Sequence, residues 1–157
     1  MAFIEAERRQ LRAHGPHFRI VRRVAGQATP NSSHGEAVAV HLVHSGQLFQ
    51  VGLGTVLVRL FAYLARHSQV AQTARQIERG TRVDRLMGSP PGGKSASGIP
   101  RRNVRVYVGR IRVAIALALK TAGLEIMPAS VLASDVTAQN EVAYRIRGTF
   151  EWFCIEE

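Results

Sequence analysis

Residues 101–112 read Arg-Arg-Asn-Val-Arg-Val-Tyr-Val-Gly-Arg-Ile-Arg, five arginines and no acid. Val104, Val108, Ile111 and Ile115 are spaced four, three and four residues apart, so they fall on one stripe of an α-helix. Any fold for this chain must bury that stripe and leave an arginine-covered surface outside it. Such a surface suits a polyanion. Arginine pairs with phosphate oxygens and can also bond the guanine edge bidentately, which makes DNA the first partner to consider.

The charge balance points the same way. The chain has 157 residues and a net charge of +10, and its 21 basic side chains are arginines except for Lys94 and Lys120. Between Arg85 and Leu124 there is no acid at all. A solvated helix normally alternates signs to gain pairs one turn apart, and this one does not. With 46% apolar residues the length suits one domain with a real core. The single Cys154 excludes an internal disulfide framework and suits a reducing compartment. No signal peptide is expected, because Met1-Ala-Phe-Ile is followed at once by charged residues. The apolar run from Val51 to Ala65 is interrupted by Arg59 and is too short for a bilayer. The expected location is therefore the cytoplasm, at the nucleoid, with no membrane partner.

Along the chain, residues 1–35 read as a basic arm. Residues 2–13 can form a short amphipathic helix, and Phe18 to Val24, alternating apolar residues with arginine, can supply a first strand. Residues 36–157 read as the folded domain. Ala37–Val43 and Gln47–Val51 flank a Ser45-Gly46 turn, the signature of a hairpin. Thr55 stands at an N-cap position, and Leu57, Leu60, Phe61 and Leu64 recur at helical spacing as far as Arg66-His67. A shorter helix is expected from about Val70 to Arg79, with Ala71, Ala74 and Ile77 inward. Residues 80–99 read as a flexible Gly/Pro/Ser loop. The arginine helix then runs to about Thr121, with Gly123 as its stop. Val131-Leu132 and Val142–Arg147 around the polar tip Thr137–Glu141 form a closing β-hairpin, and Phe150–Ile155 a last apolar edge. Strands, three helices and a hairpin in this order predict an α+β fold: a winged helix-turn-helix with N-terminal antiparallel strands, whose third helix enters the major groove and whose hairpin wing reaches the minor groove.

At this point the chain resembles the OmpR/PhoB-type winged-helix family, the effector domains of many bacterial response regulators. The family's recognition helix reads approximately Arg-x-Val-Asp-Val-His-Ile-x-x-Leu-Arg, and Arg102 to Arg112 aligns with it without a gap. The run "HSGQLFQV" followed by "LVRLFAYLARHSQV" resembles the family's strand–turn–strand and first helix, and "AYRI" resembles the end of its wing. The resemblance covers roughly residues 36–148. It departs from the family at Arg105, which replaces an Asp, at Gly109, and in the wing, where Asn140-Glu-Val-Ala-Tyr144 stands for Arg-Gly-x-Gly-Tyr. Residues 1–35 read as a basic arm and not as a receiver domain, so phosphorylation-driven control is not expected. The resemblance implies a stand-alone transcriptional regulator that binds double-stranded DNA, two copies assembling on repeated half-sites, with the loop before the recognition helix able to touch RNA polymerase. It makes Val106 and Arg110 base-edge readers, with Arg102, Arg105 and Arg112 as phosphate contacts beside them.

The residues agree with that assignment on their own. Arg102, Arg105, Gly109 and Arg112 recur at three- and four-residue spacing, with Val106 and Arg110 next to them, all away from the apolar stripe. Arg101 adds to the basic entry of the helix, and Asn103 joins Val106 and Arg110 as a candidate base-edge contact. Gly109 would let the helix backbone approach a groove floor closely, at a helix cost of roughly 1 kcal/mol. In the hairpin, Arg145 and Arg147 project from one strand face, and Gln139 and Asn140 at its tip are candidate minor-groove donors. Two other function classes compete: a nucleoid protein coating DNA with little sequence preference, and a winged-helix module that docks RNA polymerase or another protein.

Enzymatic readings find little. Gly88 to Ser95 is a formal match to the phosphate-binding loop, which works only between a buried strand and a helix starting at its lysine. Thr81–Met87 is no such strand, and Pro100 follows too soon for that helix. His41 and His44 differ by three in a strand and so point to opposite sides, which predicts no metal site. No catalytic residue set and no cofactor are expected.

Overall fold

The computed structural model describes residues 16–24, 36–83 and 98–156. Residues 2–13, most of the 80–99 loop and the Gly88–Ser95 motif lie outside the described residues. The architecture is α+β. Strands β1 (His17–Val24), β2 (Glu36–His44) and β3 (Gln47–Gln50) lead into helix α1 (Thr55–Arg66). A two-residue strand, β4 (Gln72–Thr73), precedes α2 (Ala74–Val83), and α3 (Arg101–Thr121) follows. The chain continues through α4 (Pro128–Val131), β5 (Leu132–Val136), β6 (Val142–Ile146) and β7 (Phe150–Glu156). One sheet has the order β3-β2-β1-β7, the other β4-β6-β5.

Both predicted hairpins are present. Ser45 and Gly46, with φ of 52° and 75°, make the tight turn between β2 and β3, and a turn with positive φ at both residues matches the right-handed twist of the strands it joins. In the second, Leu132 pairs with Ile146 and Val136 with Val142 around a tip where Asn140 adopts φ 65°. The last apolar edge is more than an edge. Phe150–Glu156 runs parallel to β1, with Ile20 opposite Trp152, so the end of the chain closes the first sheet rather than extending the hairpin. β1 lies inside that sheet, and its Phe18 and Ile20 belong to the core. The β1–β7 pair is pinned on the other face. Arg19 Nε donates to Glu151 Oε1 at 2.7 Å, and its guanidinium lies 4.6 Å from the Phe153 ring centroid. Burial, and then the neighbouring Arg19 charge, lower the pKa of His41, the cross-strand partner of Arg19.

α1 is the centre of the molecule. Leu60, Phe61, Ala62, Tyr63, Leu64 and Ala65 are all buried, six consecutive positions that circle the helix. A helix apolar on every side must be covered on every side. The first sheet covers it through Phe18, whose ring sits 5.7 Å from that of Phe61. α2 crosses it at Gly80, where any side-chain carbon would collide with the Tyr63 ring. Buried Tyr144 and Ile146 of β6 join the same continuous core. The helix starts one step from expectation: Gly54 is the N-cap and Thr55 the first helical residue, with no side-chain cap.

α2 differs more from its predicted span. It begins at Ala74, not Val70, because Gln72 and Thr73 pair with Tyr144 and Ala143 of β6. Thr73 then caps it reciprocally with Gln76: the Gln76 amide donates to Thr73 Oγ1 at 3.2 Å and the Thr73 amide to Gln76 Oε1 at 2.8 Å. It also runs past Arg79 to Val83, so the first residues of the expected loop are helical. At its end, buried Thr81 Oγ1 donates to the Ile77 carbonyl at 2.6 Å and accepts from the Ile99 amide at 2.8 Å. That hydroxyl fixes the approach to α3. Thr81→Val keeps the shape but strands the buried Ile99 amide, and should lower unfolding free energy by about 1–3 kcal/mol in urea titration. Unchanged stability would show that the approach to α3 is held by other contacts.

Candidate nucleic-acid interface

α3 buries the stripe its spacing predicted. Val104, Val108, Ile111 and Ile115 are buried, joined by Ala118 and Leu119. Pro100 at its N-cap has no side chain able to cap, and the carboxylate of Glu78 on α2 takes that role, accepting the Arg101 amide at 3.0 Å. A negative group there also complements the positive end of the helix dipole. The stripe, this cap and Thr81 together set which face of α3 turns outward.

The outward face carries Arg101, Arg102, Arg105, Val106, Gly109 and Arg110, all exposed. Among the described residues no ion pair engages the guanidinium groups of Arg101, Arg102, Arg105 or Arg110. Elsewhere the chain does pair its arginines, Arg19 with Glu151 and Arg147 with Asp135. Val106 is 52% exposed and Val113, one helical turn beyond Gly109 on the same side, is 71% exposed. Val113 lies outside the run that sequence reading singled out, although its position seven residues after Val106 places it on that face. A carbon added at Gly109 meets no atom within 4 Å, so nothing inside the protein requires glycine at this position.

Two expected contacts are turned to other work. Arg112 is half-buried. Its Nε donates to the Leu132 carbonyl at 3.0 Å and its Nη2 to Ser134 Oγ at 2.6 Å, so it bolts α3 to β5. Asn103 is also half-buried, 3.5 Å from the Tyr107 hydroxyl within α3. The Arg112 role could not be read without knowing where the hairpin lies, whereas the Asn103–Tyr107 approach is local to the helix.

The hairpin divides its residues between two faces. Leu132, Ser134, Tyr144 and Ile146 share the face that Arg112 grips, by register and alternation. Ala133, Asp135, Arg145 and Arg147 share the other. The structure therefore brings the hairpin beside α3 but does not merge its two arginines with the α3 cluster. Arg147 Nη2 is 3.3 Å from Asp135 Oδ1 across the strands. Arg145 is half-buried, and its Nε has no hydrogen-bond partner among the described residues. Gln139 and Asn140 are exposed at the tip, where the positive φ of Asn140 and the hydrogen bond from its amide to the Thr137 carbonyl at 2.9 Å already explain an asparagine.

Among the described residues no three His, Cys, Asp or Glu side chains gather as a metal site, and no helix is long and apolar enough to cross a membrane. Comparison of the chain with known protein families, with curated proteins and with solved structures gave no match.

Because Gly109 is exposed, mid-helix and sterically unconstrained, Gly109→Ala should raise unfolding free energy by about 0.5–1 kcal/mol. Denaturant titration checks this. A loss of stability would mean that the helix backbone at Gly109 is packed against something.

Proposed function

We propose that this protein is a winged-helix protein that binds double-stranded DNA, laying the outward face of α3 in the major groove, and that it acts as a transcriptional regulator of the OmpR/PhoB-like type. The reading rests on one observation above others: four exposed guanidinium groups without ion pairs stand on one face of a helix that is anchored by the opposite face and has no acid along its length. The order of elements supports it, with α2 and α3 adjoining, α3 bolted to a hairpin and a third short strand, β4, completing the hairpin sheet. Binding would involve no chemistry. Arg101, Arg102 and Arg105 neutralise phosphates and release counterions. Val106 and Arg110 address base edges, and the bare backbone at Gly109 permits the close approach. The wing tip, with Gln139 and Asn140, reaches the flanking minor groove, and a second copy on a neighbouring half-site is the assembly this mode suits.

A protein-docking reading has its own observation. Val113 and Leu117, 71% and 67% exposed, continue the outer face of α3 beyond the arginines as an apolar line, a surface that RNA polymerase or another protein could cover.

The test is recovery of bound fragments from sheared genomic DNA at near-physiological salt, with the Arg105→Ala/Arg110→Ala variant alongside. A repeated motif should emerge and be lost in the variant, whose affinity for that motif should fall by roughly 1–3 kcal/mol and whose salt dependence should flatten by about 0.9 for each phosphate contact removed. Even recovery across the genome would replace the regulator with a DNA-coating protein of the nucleoid. No recovery would overturn DNA binding and leave the protein-docking reading.

A further inference from the structure

The outer face of α3 carries more than arginines. Arg102, Val106, Gly109, Val113, Ala116 and Lys120 stand alternately four and three residues apart, and all of them are exposed. That alternation repeats every seven residues, the spacing by which one helix keeps a straight seam against another. The seam lies opposite the buried stripe of Val104, Val108, Ile111 and Ile115. Val106 is 52% exposed, Val113 71%, and Leu117, beside the seam, 67%. From Val106 to Leu117 the helix rises roughly 16 Å, about three turns.

DNA contact leaves the second half of this seam unused. Phosphates and base edges are met chiefly by hydrogen-bonding side chains, and beyond Arg112 the exposed residues of α3 are Val113, Ala116 and Leu117 before Lys120 is reached. The charge around the seam decides what can cover it. Arg105 and Arg110 stand on its two flanks, Arg102 and Lys120 at its ends, and α3 contains no Asp or Glu. Among the described residues no ion pair engages Arg102, Arg105 or Arg110. A second copy of the chain would set the same cations against them, and like charges along a helix seam destabilise the pair. A helix whose apolar stripe is flanked by carboxylates matches both the side chains and the charge.

We propose that the outer face of α3 docks an acidic amphipathic helix of a partner protein, its apolar stripe on Val106, Val113 and Leu117 and its carboxylates toward Arg102, Arg105 and Arg110. The docking needs the apolar seam and the flanking charge alone, so it does not rest on DNA binding. A helix seated there covers Arg105 and Arg110 and keeps α3 out of a major groove.

The probe is a labelled peptide of about three heptads, with leucines at the same alternating spacing and glutamates on both flanks. Its control has the same composition with the leucines scattered around the helix. Binding of each to the full chain is followed by fluorescence anisotropy at near-physiological salt. The striped peptide should bind about ten-fold more tightly than the control, or better. Leu117→Gln, an exposed change to another good helix former that spares the fold, should weaken the striped peptide about ten-fold, the equivalent of roughly 1.4 kcal/mol, and leave the control unchanged. Leu117→Met, which keeps the site apolar, should bind as the parent does. No binding of the striped peptide, equal binding of the two peptides, or indifference to Leu117→Gln would each overturn the proposal. So would an equal loss of affinity for a DNA duplex in Leu117→Gln, which would assign the seam to the nucleic-acid interface. A protein that takes the striped peptide in this way but no duplex would uphold the docking and overturn the DNA reading.

Discussion

Everything in this molecule is arranged around a helix that cannot face water. Six consecutive buried residues of α1, Leu60 to Ala65, leave no solvent side over that stretch. Each buried large apolar side chain contributes about 1.5–3 kcal/mol only while its cover is in place. The first sheet, α2 and β6 supply that cover, and Gly80 lets α2 come close enough to lie on Tyr63. α3 completes the core with one stripe. It is therefore the long helix with a face to spare.

Charge is distributed according to the same constraint. In the first sheet, buried arginines meet acids or aromatic rings: Arg19 reaches Glu151 and Phe153, and Arg22 lies on Trp152. A guanidinium taken from water demands such partners. On α3 the arginines stay hydrated and exposed, where leaving them without an acid costs little and keeps them available to an outside polyanion. Arg112 sits between these cases. It gives its donors to Leu132 and Ser134, and so converts a surface charge into the joint between helix and hairpin.

Local signals carried much of this into the sequence. The α3 stripe, the Ser45-Gly46 turn and the closing hairpin follow from periodicity and turn chemistry, and the structure has them where that reading put them. The start of α2 was also written there, in Thr73-x-x-Gln76, but apolar spacing at Ala71 drew the helix back too far. What stayed hidden depends on distance along the chain. The parallel pairing of β7 with β1 joins segments more than a hundred residues apart and leaves no local pattern. The same holds for Glu78 as the cap of α3 and for Arg112 as a bolt, since both need the partner element in place before the side chain has a role. Of the candidate interface, the outward row from Arg101 to Arg110 was legible because burial of one stripe dictates the other face. Alternation also put Arg145 and Arg147 on one strand face, but which face of the hairpin meets α3 was not legible, because it depends on how the two elements pack.

In the proposed function, the outward face of α3 is the surface that meets DNA. This is tested most directly by following backbone amide resonances of the protein as a short duplex is added. The account predicts that shifts concentrate on residues 101–113 and the hairpin tip at 137–141, with α1 and the first sheet unmoved. Shifts confined to the first sheet or to the apolar end of α3, or none at all under low-salt conditions that favour phosphate contacts, would contradict it.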